Sequence, residues 1–163
     1  TLPVMFALDA MIHLKTLDST RVVSIHDFMT GVKRSVRQHD EIITSIDFPI
    51  INGWQGYSKV GVRNAMVISV ASACLVADHE NANVRIALGS VGPTIIRCHE
   101  AESWLTSSQD LSAGQSISLD VANEFGRRAA GESSPIDDHR STAQYRRHAI
   151  SVLASRLLRK AYP

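Results

Sequence analysis

The sequence has 163 residues, 44% hydrophobic and 20% charged, with a formal net charge of +1. This composition describes one ordinary globular domain, or two small ones sharing a core. It excludes general disorder and any global electrostatic pull toward nucleic acid or membrane. With only Cys74 and Cys98, a disulfide framework is not expected and a reducing, cytoplasmic setting fits better.

From the N-terminus, Thr1–Ala10 is apolar with Pro3 near its start and reads as a short helical turn. Residues 10–16 alternate in part and predict a strand; the Asp18-Ser19-Thr20 turn leads to a return strand over 21–25. Residues 24–29 read as a short helix or a turn carrying Phe28 as a docking aromatic. Cationic residues 31–40 read as a solvated loop. Residues 41–48 form a strand ended by Pro49, and the 50–53 linker marks a domain boundary.

A second unit opens with strand character over 54–60. Residues 66–77 mix β-branched residues with alanines, so strand and helix compete. Strand is preferred, because the polar segment 78–83 then makes a hairpin loop to the alternating run 84–91. Helical spacing follows at 96–105 and 119–130. The surest helix is 141–162, with Tyr145, Ala149, Val152, Leu153, Leu157 and Ala161 on its apolar stripe and arginines over much of the rest. The apolar run 65–77 is shorter than the ~20 residues a membrane helix needs. The chain starts Thr-Leu-Pro, which shows no basic leader and no initiator Met; it is expected to begin inside a longer polypeptide or to have been trimmed.

No zinc spacing is present among the seven histidines and two cysteines. Gly89-Ser90-Val91-Gly92 lacks the spacing of a nucleophile elbow and reads as a glycine-rich strand end. There is no Walker sequence and no dinucleotide fingerprint. The basic residues of the last helix read as a solvated face, with some of them bridging to Asp137, Asp138 or a partner subunit. Lys59 and Arg63 lie four apart. They are either two surface cations or a cationic element beside an electron-rich ligand, such as a flavin.

Three stretches then stand together: Asp40-Glu-Ile-Ile-Thr-Ser-Ile-Asp-Phe-Pro49; Tyr57-Ser-Lys-Val-Gly-Val-Arg-Asn-Ala-Met-Val-Ile68 with Arg85-Ile-Ala-Leu-Gly-Ser-Val-Gly-Pro-Thr94; and Pro135-Ile-Asp-Asp-His-Arg-Ser-Thr-Ala-Gln-Tyr-Arg-Arg-His148. In order and spacing the set resembles the FAD-binding medium subunit of the molybdenum hydroxylase family, the xanthine dehydrogenase and aerobic carbon monoxide dehydrogenase type. The resemblance covers essentially the whole chain, as the C-terminal portion of such a subunit.

It implies an α+β fold: residues 1–50 as the end of an FAD-binding domain, then residues 53–163 as an antiparallel three- to four-stranded sheet packed against helices. It implies an FAD cofactor, with the main glycine-rich phosphate-binding segment outside this chain. By the resemblance, Ile43 matches an aliphatic residue that packs on the isoalloxazine, Lys59 a lysine near the flavin, and Arg63 a nearby cation. Where many members carry Asp, this chain has Met66. The implied activity is electron transfer from iron–sulfur clusters through FAD to an acceptor, with no catalytic residue or metal ligand in this segment. The implied partners are a molybdopterin-binding large subunit and a [2Fe–2S] small subunit in a hetero-oligomer, with no nucleic acid and no membrane. The isolated segment is expected to be inactive. The alternative is a non-catalytic interaction domain of the same fold, whose mark would be an exposed apolar patch over residues 1–8.

Overall fold

A computed structural model describes residues 1–64 and 67–163; the start of the strand expected over 66–77, and with it Met66, lies outside them. The first unit begins with helix α1 (Leu2–Ala7), which carries Pro3 in its first turn, where no intrahelical N–H is lost. Strands β1 (Met11–Lys15), β2 (Thr20–Ser24) and β5 (Ile42–Asp47) form an antiparallel sheet in the order β2-β1-β5. Between them lies the one-turn helix α2 (Ile25–Phe28), capped by the Ser24 hydroxyl, which accepts from the His26 N–H.

The segment read as a solvated loop is instead a small hairpin, β3 (Met29–Gly31) with β4 (Arg34–Ser35). Lys33 takes a left-handed φ of 57° in its turn. The Val36 N–H donates to the Phe28 carbonyl at 3.0 Å, so the cations ride on a folded ribbon. Charge pattern alone does not show such a local hydrogen-bond ladder.

The second unit is a four-stranded antiparallel sheet of β6 (Gly53–Val60), β7 (Ala71–Asp78), β8 (Asn83–Gly89) and β9 (Ile96–Arg97), in that order. Helices α3 (His99–Ser108), α4 (Leu119–Gly131) and α5 (Ala143–Ala161) follow. Helical spacing over 96–105 put the helix start too early. The Cys98 N–H still donates to the Ile86 carbonyl, which carries the ladder past β9 before the helix begins. Ser118 and Thr142 cap α4 and α5, accepting from the N–H groups of Val121 and Tyr145.

Every residue of β7 is buried. The strand is covered on both faces, which explains why its sequence runs apolar without alternating. Ala71, Ala73, Leu75 and Ala77 face the helices with Leu88, Phe125, Ile150 and Leu157. Cys74 and Val76 face the other way, with Phe6, Leu8, Ile12, Leu14 and Phe28 of the first unit. At Gly126 an added Cβ would meet the Ser151 carbonyl oxygen at 2.3 Å. That glycine lets α4 and α5 approach closely.

Residues 1–8 do not form an exposed patch. Pro3, Phe6 and Ala7 are buried, Leu8 with them, and α1 packs on β7 and β8. On α5 the expected stripe turns over at its first turn: Tyr145 is exposed, and Arg146 is buried in its place.

Candidate functional site

Lys59 sits near the end of β6, directly opposite Ser72 on β7. Cross-strand partners share a face. Ser72 lines a shallow hollow with Pro3 and Tyr57, so Lys59 stands on the face of the sheet that the first unit covers. Its Nζ donates to the Val67 carbonyl at 3.0 Å. The loop after β6 is closed at its root by the Val70 N–H donating to the Val60 carbonyl at 2.8 Å. Val67 also packs on Gly61, where a Cβ would meet its Cγ1 at 2.2 Å. These contacts fix the described ends of the loop that carries Arg63.

Arg63 borders a groove of about 350 Å³ with Val62, Val67, Ile68, His139 and Arg140. Lys59 borders a different groove, between β6 and α5. Ile43 is on the edge strand β5, opposite Leu14, and is 45% exposed. Neither groove contains a residue of β5. The structure therefore keeps Lys59 and Arg63 on one short segment and puts Ile43 on a separate sheet.

The sequence reading missed the best-braced cation. Arg146 Nη1 donates to the carbonyls of Val70, at 3.0 Å, and Ser90, at 2.8 Å; Nη2 donates to Asp138 Oδ1 at 2.7 Å. The expected bridge from the last helix to Asp138 is thus present, with its Arg146 end buried, and Arg146 ties the loop beyond Arg63 to the strand end at Ser90. The Arg140 and Ser141 N–H groups also donate to Asp138, and together with Arg146 they hold its carboxyl below the usual range. Arg146 and Asp138 help line a hollow of about 620 Å³, which the exposed Val32, Ile68 and Ile136 also line. Ser90 has a left-handed φ of 66°, and its carbonyl is held by Arg146.

A second missed feature joins the two units. Asp9 Oδ1 accepts from Arg97 Nη1 at 2.6 Å and is 2.8 Å from His26 Nε2. Arg97 also donates to the Phe6 carbonyl at 3.0 Å and to Glu102, while Glu102 accepts from the Ile86 N–H at 2.7 Å. Burial alone would raise the Asp9 carboxyl; His26, Arg97 and Arg85 outweigh it and leave it lowered. Burial dominates at Glu102 and raises it.

Cys74 and Cys98 are unpaired and buried. Burial pushes the Cys74 thiol up to about 11 and Cys98 higher still, which removes both as nucleophiles near neutrality. Among the described residues no three His, Cys, Asp or Glu side chains gather into a metal site, and no helix is long and apolar enough to cross a membrane.

Comparison with known proteins gives two family matches: a CO dehydrogenase flavoprotein C-terminal domain over residues 57–161, and an FAD binding domain in molybdopterin dehydrogenase over residues 1–51. The glyceraldehyde dehydrogenase medium chain of Sulfolobus acidocaldarius is 26% identical over 160 residues, covering 96% of this chain and 54% of the relative. The nicotine 6-hydroxylase medium subunit of Paenarthrobacter nicotinovorans is 29% identical over 161 residues, covering 97% and 54%. Among solved structures, a carbon monoxide dehydrogenase from Hydrogenophaga pseudoflava superposes with a TM-score of 0.83 at 22% identity, covering 98% of this chain and 55% of that one. This last likeness is one of fold. The chain spans about half the length of the curated relatives it matches.

Proposed function

This chain belongs to the CO dehydrogenase flavoprotein C-terminal domain family, and on that premise we propose that it is the C-terminal part of the FAD-binding medium subunit of a molybdenum hydroxylase. The observation that carries this reading is the succession of two family matches, FAD-binding over 1–51 and flavoprotein C-terminal over 57–161. Residues 1–50 are then the end of the FAD-binding domain and 53–163 the C-terminal domain. The work of the whole subunit is to pass electrons from iron–sulfur clusters to an acceptor. It works beside a molybdopterin-binding large subunit and a [2Fe–2S] small subunit, in the cytoplasm.

This reading gives Ile43 and Lys59, from two different sheets, to the ring end of FAD. Ile43 offers an exposed aliphatic surface at a sheet edge. Lys59 offers a cation whose amine is held by a backbone carbonyl and, among the described residues, by no carboxylate, which leaves its charge available to an electron-rich ring. Bound FAD supplies the electron-exchange chemistry. In this reading Ile43 packs on the ring and Lys59 favours electron density upon it. Arg63 extends the positive field, and Arg146 holds the root of the loop that carries Arg63.

The test is the visible spectrum and intact mass of the protein purified from its native source, followed by flavin potentiometry of Lys59→Met. Flavin bands, and a lower flavin midpoint potential in the variant with the fold intact, are expected. Absence of flavin bands even after FAD is added would overturn the reading and leave an interaction domain. An unchanged potential would remove Lys59 from the site.

A further inference from the structure

The charge on α5 is one-sided in a way that neither the fold nor the flavin reading uses. The helix carries Arg146, Arg147, Arg156, Arg159 and Lys160 and no Asp or Glu in 19 residues. Arg146 is consumed in the core. Arg156, Arg159 and Lys160 are exposed, and among the described residues none of the three is paired with a carboxylate.

Those three side chains converge on a groove of about 470 Å³, with Leu153 and Leu157 of the same helix and Ser58 and Lys59 of β6. No carboxylate lines it. Its other wall is a sheet edge. β6 pairs with β7 along all eight residues and is the outermost strand, so its other side has no strand partner among the described residues. Two cations, Arg159 and Lys160, complement the helix C-terminus. Arg156 lies a full turn earlier, outside that role.

We propose that this groove docks an acidic, extended segment of a partner polypeptide. Two features select a polypeptide. The free edge of β6 offers backbone donors and acceptors that an extended chain can satisfy. Arg156 and Lys160 are one turn apart, about 6 Å along the helix, close to the roughly 6.6 Å between alternate side chains of a strand. A segment with carboxylates at every second residue therefore meets both cations in register, while its backbone follows β6 and its other side chains turn from the helix. The positive field of the groove steers such a segment and sets its salt dependence.

The test is fluorescence anisotropy of a labelled peptide of alternating Glu and Ser, titrated with the purified protein. Binding is expected that weakens as salt rises. It should weaken about tenfold in the Arg156→Glu/Lys160→Glu variant and be absent for the matching Gln and Ser peptide. The Arg156→Gln/Lys160→Gln variant serves as a milder check, expected to fall between wild type and the reversal. Lys59 is kept native in all of these, so flavin content is expected to be unchanged, and a failure here is separable from a failure of the flavin reading. Equal binding by wild type and charge-reversed protein overturns the proposal. So does tighter binding to inorganic tripolyphosphate than to the peptide, which would make the groove a small-polyanion site. Preferential binding to phosphatidylserine vesicles overturns it in favour of a membrane surface.

Discussion

The two faces of the four-stranded sheet are sealed by different means. Toward the helices the seal is chiefly packing, with the buried Arg146 tying α5 to the strand ends: alanines on β7 let α5 lie close, and Phe125, Leu105, Ile150 and Leu158 fill the space at zero exposure. Toward the first unit the apolar seal is smaller and is framed by charge, with Asp9 and His26 on one side and Arg85, Arg97 and Glu102 on the other. An apolar seam is tolerant of what meets it. A seam framed by ion pairs is particular about register, because each buried charge needs its partner in place. The first face carries the larger apolar cluster, the second a smaller one bordered by ion pairs.

Four measurements can break or sharpen that contrast. The largest effect is expected from Phe125→Ala, which empties the helix-side core and should cost about 3–5 kcal/mol in urea unfolding. A loss under about 1 kcal/mol would mean the helix layer repacks freely, and the contrast would fail. Arg97→Met should cost about 3 kcal/mol by stranding Glu102 and releasing Asp9. Adding Asp9→Asn should restore part of the loss, and a strictly additive pair would argue against coupling across the joint. Arg146→Gln should cost about 2 kcal/mol, because the buried Val70 carbonyl, the Ser90 carbonyl and Asp138 lose a charged donor. Hydrogen exchange should then quicken around Val70 and Ser90 before the rest of the sheet. The smallest effect belongs to the surface. Glu124→Ala removes the partner of Arg127 and Arg128 on the outer face of α4 and should change stability by less than about 0.5 kcal/mol.

Acid separates the two faces by another route. Arg21 leads the contacts that hold Glu41 down to about 2 from 4.5, and Asp9 is likewise lowered. A carboxylate lowered in the folded state contributes stability above its unfolded pKa and loses it as pH falls through the folded value. Both groups belong to the first unit; of the lowered carboxyls in the second, Asp78 lies at a strand end and Asp138 meets α5 only through Arg146 in its first turn. Between about pH 4.5 and 2 its amides are expected to lose protection before those of α4 and α5. Simultaneous loss would show one cooperative block.

Much of this architecture was legible because the relevant signals are local. The polar segment from Asp78 to Asn83 breaks two apolar runs, and Ser118 and Thr142 announce helix starts. What was hidden depends on contacts distant in sequence. Arg146 is indistinguishable from Arg147 until the Val70 and Ser90 carbonyls arrive from far along the chain. Asp9 looks like a turn residue until Arg97 reaches it. The candidate site divides in the same way. Lys59 and Arg63 lie within one short stretch whose wording carries a resemblance. The groove beside α5 joins residues a hundred positions apart, which no local pattern joins.

The two thiols, Cys74 on the joint side of the sheet and Cys98 on the helix side, make the protein its own gauge. Lifting the first unit away would uncover Cys74 and leave Cys98 sealed. The order in which the two sulfurs take up an alkylating reagent therefore distinguishes a joint that opens like a hinged cover from a domain that melts as a whole.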